Sequence, residues 1–178
     1  MRIMAISGSL RAASSNTALV RAAALLAPPN VDVFVSNAIG ELPHFNPDLD
    51  NETPPAAVAD WRAQWRAADA VLMCSPEYAH GVPGSLKNTL DWLVSSGELM
   101  NKPLALINIS PRSTFAQAQL TEILTVMMAR IVPEASPVLP ISGTNLDAAG
   151  IARHPEFAAK LRDALTALVL YEKKKEES

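Results

Sequence analysis

Apolar positions along this chain follow two alternating rhythms. Short runs that are apolar at nearly every place give way to longer stretches in which apolar residues recur every third or fourth place. Ile3-Met4-Ala5-Ile6, Ala70-Val71-Leu72-Met73 and Leu104-Ala105-Leu106-Ile107 are the continuous runs, the pattern of strands buried on both faces. Together with two weaker runs they predict strands over residues 2–7, 31–35, 70–75, 104–109 and 138–141. The last contains Pro140, which cannot donate to a ladder, so it is expected at the sheet edge.

Helical periodicity fills the gaps, over residues 16–26, 55–68, 83–93, 115–131 and 155–171. The first stops at Pro28-Pro29, the second carries Trp61 and Trp65 on one face, and the third opens on Pro83, a residue suited to a first helical position. Strand and helix alternating in this way predict an α/β fold, a doubly wound parallel sheet with helices on both faces. Residues 1–171 are expected to form one domain, and the charged tail 172–178 a solvated, fraying end. Sheets of this kind bind ligands outside the carboxyl ends of their strands, near the point where strand order reverses. The search for chemistry therefore narrows to the loops after strands one, three and four.

Composition changes this picture only by exclusion. With 178 residues and 49% apolar types, the chain can bury a substantial core. A net charge of -3 supplies no basic field for nucleic acid. The single cysteine, Cys74, forms no internal disulfide and no metal cluster alone; it ends a buried strand, and inert packing is expected. The amino-terminal apolar run is too short for a signal peptide or a membrane span. A cytoplasmic protein with no membrane, metal or nucleic-acid partner is the expectation.

Strand one runs into Gly8-Ser9-Leu10-Arg11-Ala12-Ala13-Ser14-Ser15-Asn16-Thr17 and then a helix. A helix amino terminus offers unpaired N–H groups and partial positive charge. Ser9, Ser14, Ser15 and Thr17 add hydroxyls, Asn16 an amide and Arg11 a guanidinium, a donor set suited to a terminal monophosphate. The other reading is an ordinary cap, with Ser15 or Asn16 capping the helix and Arg11 a surface charge. The loop lacks both the Gly-x-Gly-x-x-Gly and the Gly-Lys-Ser/Thr patterns, which disfavours a diphosphate held by bare backbone.

The loop after strand three, from Ser75 through Pro76-Glu77-Tyr78-Ala79-His80-Gly81 to Pro83-Gly84, is stiffened by prolines. Such a backbone can present fixed polar groups to the edge of a planar heterocycle, with the Tyr78 ring beside it. Alternatively, Glu77 and His80 are plain exposed turn residues.

Taken together, Gly8-Ser9-Leu10-Arg11…Ser14…Asn16 and Pro76-Glu77-Tyr78…His80…Pro83-Gly84…Leu86-Lys87-Asn88…Asp91-Trp92 resemble the NADPH-dependent FMN reductase family, which includes flavodoxin-like quinone, chromate and azo-dye reductases. The stretch Leu42-Pro43-His44-Phe45-Asn46-Pro47-Asp48-Leu49 is similar to that family's loop after strand two. The likeness covers roughly residues 3 to 110. It implies a flavodoxin-like five-stranded sheet of order 2-1-3-4-5 with FMN as cofactor and NADPH, or NADH, as co-substrate. It implies that Ser9, Arg11, Ser14 or Ser15, Asn16 and Thr17 hold the FMN phosphate. Pro76, Glu77, Tyr78 and the backbone of Ala79, His80 and Gly81 would border the isoalloxazine. Many relatives have Asn where this chain has Ala79. After strand four Ser110 and Pro111 keep the start of the family's flavin-covering turn, but Arg112, Thr114 and Phe115 replace its glycines. Arg112 is placed against the NADPH 2′-phosphate or a substrate anion, or else on the plain surface.

The function implied is a ping-pong cycle: a nicotinamide delivers hydride to flavin N5, and a small acceptor (quinone, flavin, azo dye or metal oxyanion) then takes the electrons. FMN carries the chemistry and no side chain need be catalytic; His80 is the one candidate proton donor. A flavodoxin-type electron carrier, or a weakly active FMN-binding protein, is the alternative. Carriers dock through a strongly acidic face, of which this charge offers little. The fourth helical stretch, with Leu120, Ile123, Leu124, Val126, Met127, Met128, Ile131 and Val132, has more apolar positions than one stripe requires. A homodimer or homotetramer is the expectation from it; a helix wedged in one deep core is the other reading.

Overall fold

The structure, a computed structural model, describes residues 1–176. Five strands form one sheet: β1 (Arg2–Ser7), β2 (Asp32–Ser36), β3 (Ala70–Cys74), β4 (Pro103–Ile107) and β5 (Arg130–Ile131). All neighbours are parallel and the order is β2-β1-β3-β4-β5. The chain leaves β1 for β2 on one side and later returns to β3 on the other. The reversal of strand order lies between β1 and β3, where a ligand crevice is expected.

The helices are α1 (Ser15–Leu25), α2 (Ala56–Ala67), α3 (Gly84–Asp91), α4 (Thr114–Val126), α5 (Ala148–Arg153) and α6 (Pro155–Glu176). Alternate residues of each inner strand serve opposite layers, as the period of two requires. Ile3, Ala5, Ala70, Leu72 and Ala105 pack with Leu19 and Val20 of α1 and Leu161, Leu165 and Leu168 of α6. Met4, Ile6, Val71, Met73 and Leu106 pack with Trp61 and Trp65 of α2, Leu86 and Leu90 of α3 and Leu120 and Leu124 of α4. The two α2 tryptophans meet edge to face at 5.6 Å and 85°. Burial on both faces explains why these strands lack polar alternation.

The sheet edge departs from expectation. The fourth helix does not reach residue 131 but stops at Val126, and β5 follows directly. Ala129 N donates to Leu124 O and Met128 N to Thr125 O, the paired bonds of a Schellman motif. Its left-handed position is Met128, φ 60°, where glycine is usual. The expected strand at 138–141 is instead one bridge, Val138 against Asn108. Between β5 and that bridge the tight turn Pro133–Ala135 interrupts the edge; there Leu106 N donates to Ser136 Oγ rather than to a backbone partner. Pro140 lies at this edge, as anticipated.

Two further corrections concern the carboxyl-terminal region. Helix α5 was not anticipated; Asp147 caps it through a hydrogen bond from Gly150 N, 2.7 Å. The expected solvated tail begins as helix, since α6 continues through Glu176; residues 177–178 lie outside the described residues. Among the described residues, no helix is long and apolar enough to cross a membrane.

Candidate functional site

Three loops meet at the carboxyl end of the sheet. The first leaves β1 at Gly8, whose N–H donates to Cys74 O at 2.8 Å. A Cβ at Gly8 would lie 2.8 Å from Ser75 Oγ and 2.9 Å from Leu86 Cδ2, so only glycine lets this loop lie against the β3–α3 segment. Ser14 caps α1, its hydroxyl accepting from Thr17 N at 3.4 Å. Ser14, rather than Ser15 or Asn16, is therefore the cap. Ser9 Oγ accepts from Arg11 N at 3.3 Å, and the Thr17 hydroxyl sits 3.0 Å from Ser7 Oγ. Ser9, Ser14 and Asn16 are buried, Ser15 and Thr17 half-buried, and Arg11 is exposed.

Asn16 stands apart within this group. It is 5% exposed, and its Oδ1 is sealed from solvent with no donor among the described residues. A buried acceptor left without a partner costs about 1–3 kcal/mol, so its presence at a helix amino terminus needs a reason. Beneath it lies Cys74, fully buried, whose Sγ–H donates to Asn16 O at 3.3 Å. Burial pushes this thiol far above its ordinary range, which keeps it protonated and inert.

The second loop turns tightly. Tyr78 N donates to Gly81 O and Gly81 N to Tyr78 O, 3.1 and 2.9 Å. Ala79 and His80 between them have φ of 49° and 58°, the signature of a type I′ turn. Consumed in this way, the Gly81 N–H is unavailable to a ligand. The N–H groups of Ala79 and His80 bond to no protein group among the described residues. Pro76 is half-buried, and the Tyr78 ring is 55% exposed beside it.

Glu77 is neither a free turn residue nor an open lining group. Its Oε2 accepts from Ala116 N at 2.8 Å, which caps the amino end of α4 from another loop. Two further contacts complete the attachment, one of them through Gln119, which sequence reasoning passed over. His80 stacks on Phe115, centroids 4.2 Å apart at 18°, and Val82 N donates to Gln119 Oε1 at 2.8 Å. Spacing gave no signal for Gln119, because its partner is a backbone group far away in sequence.

The third loop is ordered by Asn108, whose Oδ1 accepts from Ser110 N at 2.9 Å and whose Nδ2 donates to Ser113 O. Ser110 is half-buried, while Arg112 is exposed and has no ion-pair partner among the described residues. Also among the described residues, no three His, Cys, Asp or Glu side chains stand close enough to hold a metal ion. The arrangement offers donors at a helix terminus, an adjoining stiff backbone edge and an exposed aromatic ring. That combination suits a planar ligand carrying a phosphate.

Known proteins share this chain's sequence and fold. A family model described as NADPH-dependent FMN reductase matches residues 1–143. A NAD(P)H-dependent FMN reductase of Pseudomonas aeruginosa is 33% identical over 176 residues, 96% of this chain and 95% of that protein. A quinone reductase of Pseudomonas putida is 38% identical over 114 residues, which cover 61% of this chain and 60% of that protein. Among solved structures, the flavoenzyme NAD(P)H:(acceptor) oxidoreductase FerB of Paracoccus denitrificans aligns with a TM-score of 0.73 at 26% identity, over 97% of each chain.

Proposed function

The chain belongs to the NADPH-dependent FMN reductase family, and from that premise we propose an FMN-dependent NAD(P)H oxidoreductase that seats the flavin phosphate at the amino end of α1. The observation that carries this reading is the sealed, partnerless Asn16 Oδ1. A turn of the side chain would bring Oδ1 to a ribityl hydroxyl or Nδ2 to a phosphate oxygen. The Gly8 contact fits the same group, since it brings the phosphate loop and the Pro76–Gly81 loop together without an intervening side chain.

When bound, FMN supplies hydride transfer through N5 between the nicotinamide and a small acceptor. The protein's part is binding and orientation. Ser9, Ser14, Ser15, Thr17 and the first N–H groups of α1 would hold the phosphate, and Arg11 would offset its charge. The free N–H groups of Ala79 and His80 would meet the polar edge of the ring system, and Pro76 and Tyr78 would flank it. Glu77 serves this site at one remove, by fixing the turn to α4. Ser110 and Arg112, on the loop after β4, would be available to an incoming substrate. His80 is held flat on Phe115, which suits it to fixing the turn rather than moving a proton.

Quinones, flavins, azo dyes and metal oxyanions all need only an open ring face; the quinone reductase relative favours the first. Helix α4 buries most of its apolar surplus in its own core, with Leu120 and Leu124 inside and Ile123 and Met127 packed against them. Phe115, Val126 and Met128 remain more than half exposed, and a homodimer or larger homo-oligomer would cover them. Purified protein should carry one FMN per chain, and NADPH or NADH should bleach it in stopped flow, with reoxidation by a quinone. Colourless protein that ignores added FMN overturns the reading. Flavin that binds but resists both nicotinamides leaves an electron carrier instead. Sedimentation as a monomer at micromolar concentration would remove the oligomer.

A further inference from the structure

The contacts that hold the Tyr78–Gly81 turn all end on α4. Glu77, just before the turn, accepts from Ala116 N at 2.8 Å, and Val82, just after it, donates to Gln119 Oε1 at 2.8 Å. The His80 ring at the tip stacks on Phe115. We propose that Gln119 is a positioning residue for the flavin: it closes the second side of a bracket that gives the free N–H groups of Ala79 and His80 one orientation. This rests on the reductase reading above.

The turn cannot hold itself. Among the described residues, the backbone from Glu77 to Val82 makes no backbone hydrogen bond except the pair joining Tyr78 and Gly81. That pair is an isolated bridge with no strand behind it, and a hairpin standing alone is marginal in water. Ala79 and His80 add left-handed backbone without glycine, φ 49° and 58°, which disfavours the shape further. Tyr78, Ala79 and His80 are all exposed, so burial in the core does not fix them either.

Glu77 alone would be a pivot, because one hydrogen bond on one side of a hairpin leaves the other side free to swing. Gln119 supplies the other side. It lies four residues beyond Phe115 on α4, so the two share one helix face. Its oxygen sits close to the turn, since a Cβ at Gly81 would lie 3.5 Å from Gln119 Oε1. The turn's orientation therefore follows α4, which Leu120 and Leu124 seat in the core. The same bond contributes little to folding. Gln119 is exposed, and fixing its side chain costs rotamer freedom comparable to what one neutral hydrogen bond contributes, about 1 kcal/mol. Its effect falls on where the turn stands, not on whether the protein folds.

The test follows amide exchange by NMR with and without FMN, together with flavin titration and potentiometry, in two variants. Gln119→Met keeps the side-chain length and removes the strong acceptor. Without FMN, its Val82 N–H should exchange about tenfold faster than in wild type, the scale of one lost hydrogen bond. FMN affinity should fall about fivefold. The midpoint potential of bound FMN should become more negative, because placed donors favour the electron-rich reduced ring over the oxidised one. The melting temperature without FMN should not move. Gln119→Glu keeps an acceptor oxygen at the same reach and should restore the protection of Val82. A melting temperature that falls with the affinity, a potential that stays at the wild-type value, or no rescue of Val82 by Gln119→Glu would each overturn the proposal. Gln119-dependent protection of Val82 in a protein that takes up no FMN would sustain the bracket and sink the flavin reading.

Discussion

At Asn16, stability and ligand binding pull in opposite directions, and that makes the residue diagnostic. Its Oδ1 is buried without a donor, so removing the amide relieves a desolvation penalty in the free protein. Asn16→Ala should therefore melt no lower than wild type as apoprotein, while FMN affinity falls about tenfold for a lost hydrogen bond in a closed site. Melting curves and flavin titration check the two halves separately; parallel losses would make Asn16 purely structural. Gly8 behaves oppositely. Gly8→Ala forces Ser75 and Leu86 aside, at about 1–3 kcal/mol, and should lower melting temperature and FMN content together. Residue types at this site were legible because serines, an asparagine and an arginine ahead of a helix are visible in sequence. Orientation was not, and Glu77 shows why. Its carboxylate goes to Ala116 N, a group on a helix 39 residues away that no local pattern links to it.

Among the elements, turns without glycine at their left-handed positions were the hardest to read. The Tyr78–Gly81 turn places Ala79 and His80 in left-handed backbone, a conformation that costs an ordinary L-residue about 1 kcal/mol and that asparagine tolerates. Ala79→Asn should raise stability by about 0.5–1 kcal/mol in chemical denaturation without disturbing the turn's free N–H groups. A loss of stability would mean that the turn is not type I′. Helix α4 ends in the same hidden way. Met128 closes its Schellman motif, so residues 120–131 read as one helix although the last two of them, Arg130 and Ile131, form β5. Continuous strands such as β1, β3 and β4 were legible because burial on both faces erases polar positions. The broken edge was not, because a hydroxyl at Ser136 stands in for a backbone partner.

Across the whole molecule, several residues that carry the family resemblance act as braces beneath the site. Asn88 on α3 accepts from Phe45 N at 2.7 Å and donates to Pro43 O at 2.9 Å; Trp92 Nε1 donates to the same carbonyl. Phe45 meets Trp92 edge to face at 5.0 Å. The loop after β2 is thus fastened to α3, whose amino end closely follows the Tyr78–Gly81 turn. A second brace is Arg62, 8% exposed, which donates to Trp92 O just past α3 and to Asp50 at 2.7 Å. Burial resists the Asp50 charge, but hydrogen bonds from Arg62 and Ser95 and the Arg62 charge outweigh it, so its carboxyl titrates below the usual range. The unfolded chain then takes up this proton first as pH falls. The pair's stabilisation is complete above about pH 4 and drains away as pH drops through the lowered folded value. Asp50→Asn leaves Arg62 buried without its counter-charge and should destabilise by about 3 kcal/mol near neutrality. The gap between variant and wild type in urea midpoints should narrow below pH 4; a gap that stays constant with pH would show that the brace works by shape rather than charge.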